Sequence, residues 1–183
     1  AEPILTLEPL LEAVREGVEE EGWELSGLQK TTSYEFEGRW AGDSSRSAYL
    51  FFHSPGLPDW VTIDVFLDET SRGLKGNLAL VLEGPELGEL EDPRRALARL
   101  AGGARRFLPE GYRTPLTLRY RLPSLTADPG ESDTEFRFKL YLPSRAIRSG
   151  RGVVSSLSSS TARAFREILD SRELTVFLPP EEP

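Results

Sequence analysis

Residues 135–143 read EFRFKLYLP, and the alternation within them decides the fold class. Phe136, Phe138, Leu140 and Leu142 take every second position, while Glu135, Arg137, Lys139 and Tyr141 take the others. Successive side chains of a strand point to opposite faces, so this is a strand with one greasy side and one polar side. Residues 117–123, TLRYRLP, repeat the pattern: Leu118, Tyr120 and Leu122 share one face, and Thr117, Arg119 and Arg121 the other. Two such strands in succession predict an antiparallel pair with Arg119, Arg121, Arg137 and Lys139 as neighbours on its outward face. Like charges directly opposite each other weaken a sheet, so this basic stripe needs a partner. The connection at 123–133 is longer than a hairpin requires and reads as a flexible loop.

Upstream, further strands are expected. Residues 22–29 (GWELSGLQ) and 32–40 (TSYEFEGRW) read as a short pair. Residues 47–54 (SAYLFFHS) make a stronger strand, and 59–69 (DWVTIDVFLDE) alternate Val61, Ile63, Val65 and Leu67 on one face. Residues 76–84 (GNLALVLEG) are continuously apolar in the middle, which predicts a central strand buried on both faces. Three helices frame these strands. Residues 6–21 carry Leu7, Leu10, Leu11, Val14 and Val18 at helical spacing, with Thr6 as N-cap and Gly22 as stop. Residues 92–108 open on Asp92 and Pro93; Leu97, Leu100, Ala101, Ala104, Phe107 and Leu108 line one side and five arginines the other. Residues 156–170 place Leu157, Thr161, Ala164, Phe165, Ile168 and Leu169 on one stripe, capped by one of the serines at 156–160. Residues 173–178 (ELTVFL) read as a short last strand before an acidic tail. Strands and helices do not alternate, so the expectation is a single α+β domain over 1–183, an antiparallel sheet with helices packed on one face.

Composition removes several chemistries. The 183 residues include no cysteine, which excludes disulfides and thiolate catalysis and fits a reducing cytoplasm. One histidine, His53, excludes a histidine metal cluster within the chain. No apolar run approaches the length of a membrane span, and AEPILTLEPLLEA is not an intact signal peptide. No nucleophile elbow, phosphate-binding loop or metalloprotease motif occurs. The weaker features have plain structural readings. Asp64, Asp68 and Glu69 fit a solvated strand face better than a magnesium site. His53 fits a structural residue donating to a backbone carbonyl. Trp23, Trp40 and Trp60 fit the core or a sheet edge. The segment SGRGVVSS (149–156) fits an ordinary loop better than an anion cradle flanked by Arg148 and Arg151. No catalytic residue, cofactor or metal is assigned.

Charge is unevenly placed. Residues 1–92 hold 6 basic and 20 acidic residues, a balance of −14, and residues 93–183 hold 16 basic and 10 acidic, a balance of +6. Either the two halves offset each other, within one chain or across a dimer, or the basic stripe waits for an acidic peptide or a phosphate backbone.

The order of elements resembles the type III secretion chaperone fold and its YbjN-like bacterial relatives: α-β-β-β-α-β-β-α. The matching pieces are TLEPLLEAVREGVEEEGWEL, YLFFHS, WVTIDVFL, NLALVLEG, DPRRALARLAGGARRFL, LTLRYRL, EFRFKLYL and SSLSSSTARAFREIL. The resemblance implies a non-catalytic adaptor, a homodimer that holds an extended segment of a partner protein. It makes residues 92–108 a dimer element, with Leu97, Leu100, Gly102, Gly103 and Ala104 at the interface. Charge points to a partner segment with acidic residues, the acidic tails of single-stranded-DNA-binding or DNA-repair proteins being one such class, with Arg119, Arg121, Arg137 and Lys139 as contacts. Nucleic-acid binding through the basic C-terminal half is the alternative.

Overall fold

The computed structural model describes residues 2–34, 44–83, 116–121 and 135–170. Its elements are α1 (Leu7–Glu20), β1 (Glu24–Tyr34), β2 (Ser44–His53), β3 (Val61–Thr70), β4 (Gly73–Glu83), β5 (Leu116–Arg121), β6 (Glu135–Tyr141), α2 (Ser144–Ser149) and α3 (Arg151–Asp170). The expected helix at 92–108 with its dimer residues Leu97, Leu100, Gly102, Gly103 and Ala104, the loop at 123–133, Trp40 and the strand at 173–178 lie outside the described residues.

The strands form one sheet in the order β1-β2-β3-β4-β6-β5. Every neighbouring pair is antiparallel. This is the α+β class that the alternating strands predict. Register follows hydrophobicity. Phe52, Ile63, Leu80 and Phe138 lie opposite one another across four strands, as do Leu50, Val65, Leu78 and Leu140. A one-residue slip would turn all of these to the other face, so the buried face pins the pairing. Against that face pack Leu10, Val14 and Val18 of α1 and Phe165, Ile168 and Leu169 of α3, in one core. In β4, residues 76–82 are all buried, as expected of an internal strand.

Three local readings change. Across the expected pair at 22–29 and 32–40, the described residues form one strand, β1, which runs from Glu24 to Tyr34 and pairs with β2; residues 35–40 lie outside the described residues. Lys30 and Thr31, the expected break, pair regularly with Ala48 and Ser47; the register shifts instead between Leu25 and Gly27, a bulge inside the first expected strand. The first group therefore has four strands where the resemblance implies three.

The loop expected at 149–156 is helical. Gly150, at φ +110°, is the joint between α2 and α3, and α3 begins at Arg151. A left-handed backbone suits glycine there, and the chain resumes its helix without a connecting loop. The serines at 156–160 consequently lie inside α3 and do not cap it. Ser158 and Ser159 are buried. They make room for Gly17 of α1: a Cβ on Gly17 would stand 2.3 Å from the Ser155 carbonyl oxygen and 2.7 Å from Ser158 Cβ.

Thr6 holds the N-cap position of α1 but makes no side-chain cap bond. The Leu7 N–H donates instead to Glu69 Oε2 at 3.0 Å, so a carboxylate from the end of β3 satisfies the helix start.

Candidate functional site

The face of the sheet opposite α1 and α3 carries the polar half of each alternation. Register arranges it in rungs. Gln29, Tyr49, Phe66, Asn77 and Tyr141 follow one another across β1, β2, β3, β4 and β6. The next rung is Phe51, Asp64, Ala79, Lys139 and Thr117. Over these two rungs lies a groove of about 400 Å³ whose lining includes Tyr49, Phe51, Asp64, Phe66, Arg137 and Lys139. The Tyr49 and Phe66 rings are in contact, 4.9 Å between centroids and tilted 40° to each other. Tyr49 remains 39% exposed and Tyr141 42%, so both rings are accessible from solvent.

The basic stripe is only partly assembled as the alternation suggests. Arg137 is engaged within the chain: its Nε donates to Glu135 Oε1 at 2.6 Å and its Nη2 to Asp64 Oδ2 at 3.3 Å. Asp64 Oδ1 also accepts from Thr62 Oγ1 at 2.9 Å. Burial raises the Asp64 carboxyl above the ordinary carboxylate range, against the opposing pull of the Thr62 hydrogen bond and the Arg137 charge. Lys139 is different. Its ammonium lies 5.9 Å from the centroid of the Tyr141 ring and has no carboxylate partner among the described residues. Arg119 pairs in register with Arg137, and Arg121 with Glu135. The two arginines are thus in different settings, one opposite a like charge and one opposite an acid; their side chains lie outside the described residues.

The other candidates separate. Glu69 serves α1, as above. Asp68 Oδ1 accepts from Ser47 Oγ at 2.9 Å, and its Oδ2 lies 3.8 Å from Lys75 Nζ. Asp64, Asp68 and Glu69 therefore have three separate occupations. Among the described residues no three His, Asp or Glu side chains are grouped to hold a metal ion. His53 is half-exposed, with Nε2 3.8 Å from Glu24 Oε2 across the β1–β2 pair, in place of the carbonyl contact expected. Trp23 is in the core, 1% exposed, with the Arg166 guanidinium 5.4 Å from its ring centroid. Trp60 packs partly buried against the same core. Arg151, which flanks the segment read as a loop in preference to an anion cradle, donates to Glu12 Oε2 at 2.9 Å.

The charge asymmetry has an internal counterpart. Glu12–Arg151 at 2.9 Å, Glu21–Arg163 at 2.7 Å and Asp64–Arg137 at 3.3 Å each join the acidic half of the chain to the basic half. The Arg163 hydrogen bond holds the Glu21 carboxyl below its ordinary range, against the opposing effect of burial.

Tyr49 and Phe66 are the site residues that sequence reasoning missed. Each is the outward member of an alternating strand, SAYLFFH and VTIDVFLDE, so their face was readable. Their adjacency was not, because it depends on the register of β2 against β3. No helix of the described residues is long and apolar enough to cross a membrane. Comparison with protein-family models, with curated proteins and with solved structures returns no match.

Proposed function

We propose that this chain is a non-catalytic protein-binding adaptor of the chaperone-like kind, which holds an acidic segment of a partner protein on the second face of its sheet. One observation carries the reading. Lys139 stands beside accessible aromatic rings, at the edge of a groove, without a carboxylate partner among the described residues. A cation and apolar rings at close quarters suit a peptide: the rings contribute buried area and the ammonium contributes orientation. A sheet margin supports the same use. Among the described residues β1 pairs with β2 alone, which leaves a strand edge of the type that takes up extended peptides.

The test is a titration of the chain with acidic and neutral peptides of equal length. Preference for the acidic peptide, reduced by Lys139→Ala, supports the reading; equal affinity overturns its charge component. Ionic strength separates it from nucleic-acid binding. Contact with several phosphates loses affinity steeply between about 50 and 200 mM salt, whereas contact through one ammonium loses little. The resemblance to YbjN-like proteins adds a homodimer built on residues 92–108, which light scattering across a concentration series tests directly.

A further inference from the structure

The geometry points to a two-point ligand for this groove: an extended peptide with a single carboxylate seated on Lys139 and an aromatic or large aliphatic side chain, four residues away, seated on Tyr49 and Phe66. This rests on the adaptor reading above and makes its ligand specific.

Two observations limit the charge to one. Arg137 spends its Nε on Glu135 and its Nη2 on Asp64, so Lys139 is the cation left without a carboxylate among the described groove residues. Asp64 itself lines the groove, so a second acid of the ligand meets a fixed carboxylate. A run of acids therefore gains nothing over one. The aromatic requirement comes from the Tyr49–Phe66 contact, which offers a partly exposed apolar platform on the adjoining rung.

The spacing follows from the register. Lys139 lies opposite Ala79, Ala79 opposite Asp64, and Phe66 is two residues beyond Asp64 on β3. Two strand spacings of about 4.8 Å and two residue rises of about 3.4 Å place the Lys139 and Phe66 backbones about 12 Å apart. An extended ligand, at about 3.4 Å per residue, covers that distance within four residues, and a spacing of four also brings both side chains to the same face. Adjacent acid and aromatic residues would not reach both points.

The experiment is isothermal titration calorimetry of the whole chain with short synthetic peptides. The parent peptide is Gly-Glu-Ser-Thr-Ser-Phe-Gly, with glutamate and phenylalanine four residues apart. Its comparators carry glutamine for glutamate, serine for phenylalanine, the glutamate and phenylalanine side by side, or four glutamates with no aromatic. The parent binds at least about tenfold tighter than every comparator. Lys139→Ala removes the preference for glutamate over glutamine, and Tyr49→Ala the preference for phenylalanine over serine. Because the peptide series uses the unmodified protein, the result does not depend on the variants folding. If the four-glutamate peptide binds as tightly as the parent, the two-point ligand is overturned while the acidic-segment reading stands. If no peptide binds, both fall. If peptide affinity weakens as protein concentration rises, a second copy of the chain occupies the groove and the assignment is overturned.

Discussion

Gly17→Ala is expected to destabilise the protein, although alanine is the better helix former. The added Cβ would lie 2.3 Å from the Ser155 carbonyl oxygen, 2.7 Å from Ser158 Cβ and 2.9 Å from the Ser159 nitrogen. Two of these atoms are backbone, and no side-chain rotation relieves them. To reach ordinary contact, α1 and α3 must separate locally by about 1 Å. That strains an interface packed to crystal-like density, at a typical overpacking cost of about 1–3 kcal/mol. Helix propensity returns about 1 kcal/mol to alanine. The clash is with main chain, so its cost belongs at the upper end, and the net loss is about 1–2 kcal/mol. In a domain of this size that lowers Tm by about 2–8 °C. Gly152→Ala supplies the control. It also replaces a helical glycine, but no atom lies within 4 Å of its new Cβ. Its stability should be unchanged or higher by up to about 1 kcal/mol. Urea denaturation followed by circular dichroism compares the two variants. Equal shifts of the same sign, or a Gly17→Ala protein as stable as the parent, would refute the close-crossing argument.

Three further outcomes are expected. Glu69→Ala removes the acceptor of the Leu7 N–H and should cost about 0.5–2 kcal/mol in urea denaturation, while Thr6→Ala, which removes no cap bond, should cost much less. Phe165→Ala empties a fully buried position beside the edge-on Phe138 ring, 6.3 Å between centroids; a loss of about 3–5 kcal/mol is expected by the same measurement. Acid titration separates two carboxylates by sign. Glu21, held low by Arg163, adds stability that is present above the unfolded carboxylate range and is lost as pH falls through its lowered value. Asp64, raised by burial, adds a contribution that is complete below that range and is lost as pH rises through its raised value. Across about pH 3–6, Glu21→Gln should therefore lessen the rise of stability with pH, and Asp64→Asn should steepen it.

The fold class was legible because burial of one sheet face forces period-two alternation, and β3, β5 and β6 display it openly. The errors arose where local chemistry competed with tertiary packing. The break read between Gln29 and Thr32 is bridged by continuous pairing of β1 with β2. The serines of α3, good caps in isolation, are small residues at a helix crossing. The site was half-legible. Alternation placed Arg137 and Lys139 on one face, but the Asp64 carboxylate that engages Arg137 lies 73 residues away in sequence. Periodicity within a strand says nothing of which distant residue will stand opposite, so one cation is engaged by a carboxylate and the other, among the described residues, is not.

The two ends of the core are also the two ends of a timetable. Strands β1 to β4 follow one another in sequence and pair with their neighbours, yet part of their helical cover, α3, is translated after every other described element. Between Glu83 and Leu169 lie 86 further residues of synthesis, about 4–17 s at about 5–20 residues per second. Through that interval the nascent meander shows greasy flank without α3. A chain that stops before Arg151 never acquires that cover, so release of truncated products should yield aggregates or holdase clients, and translation pauses in this window should matter more than pauses elsewhere.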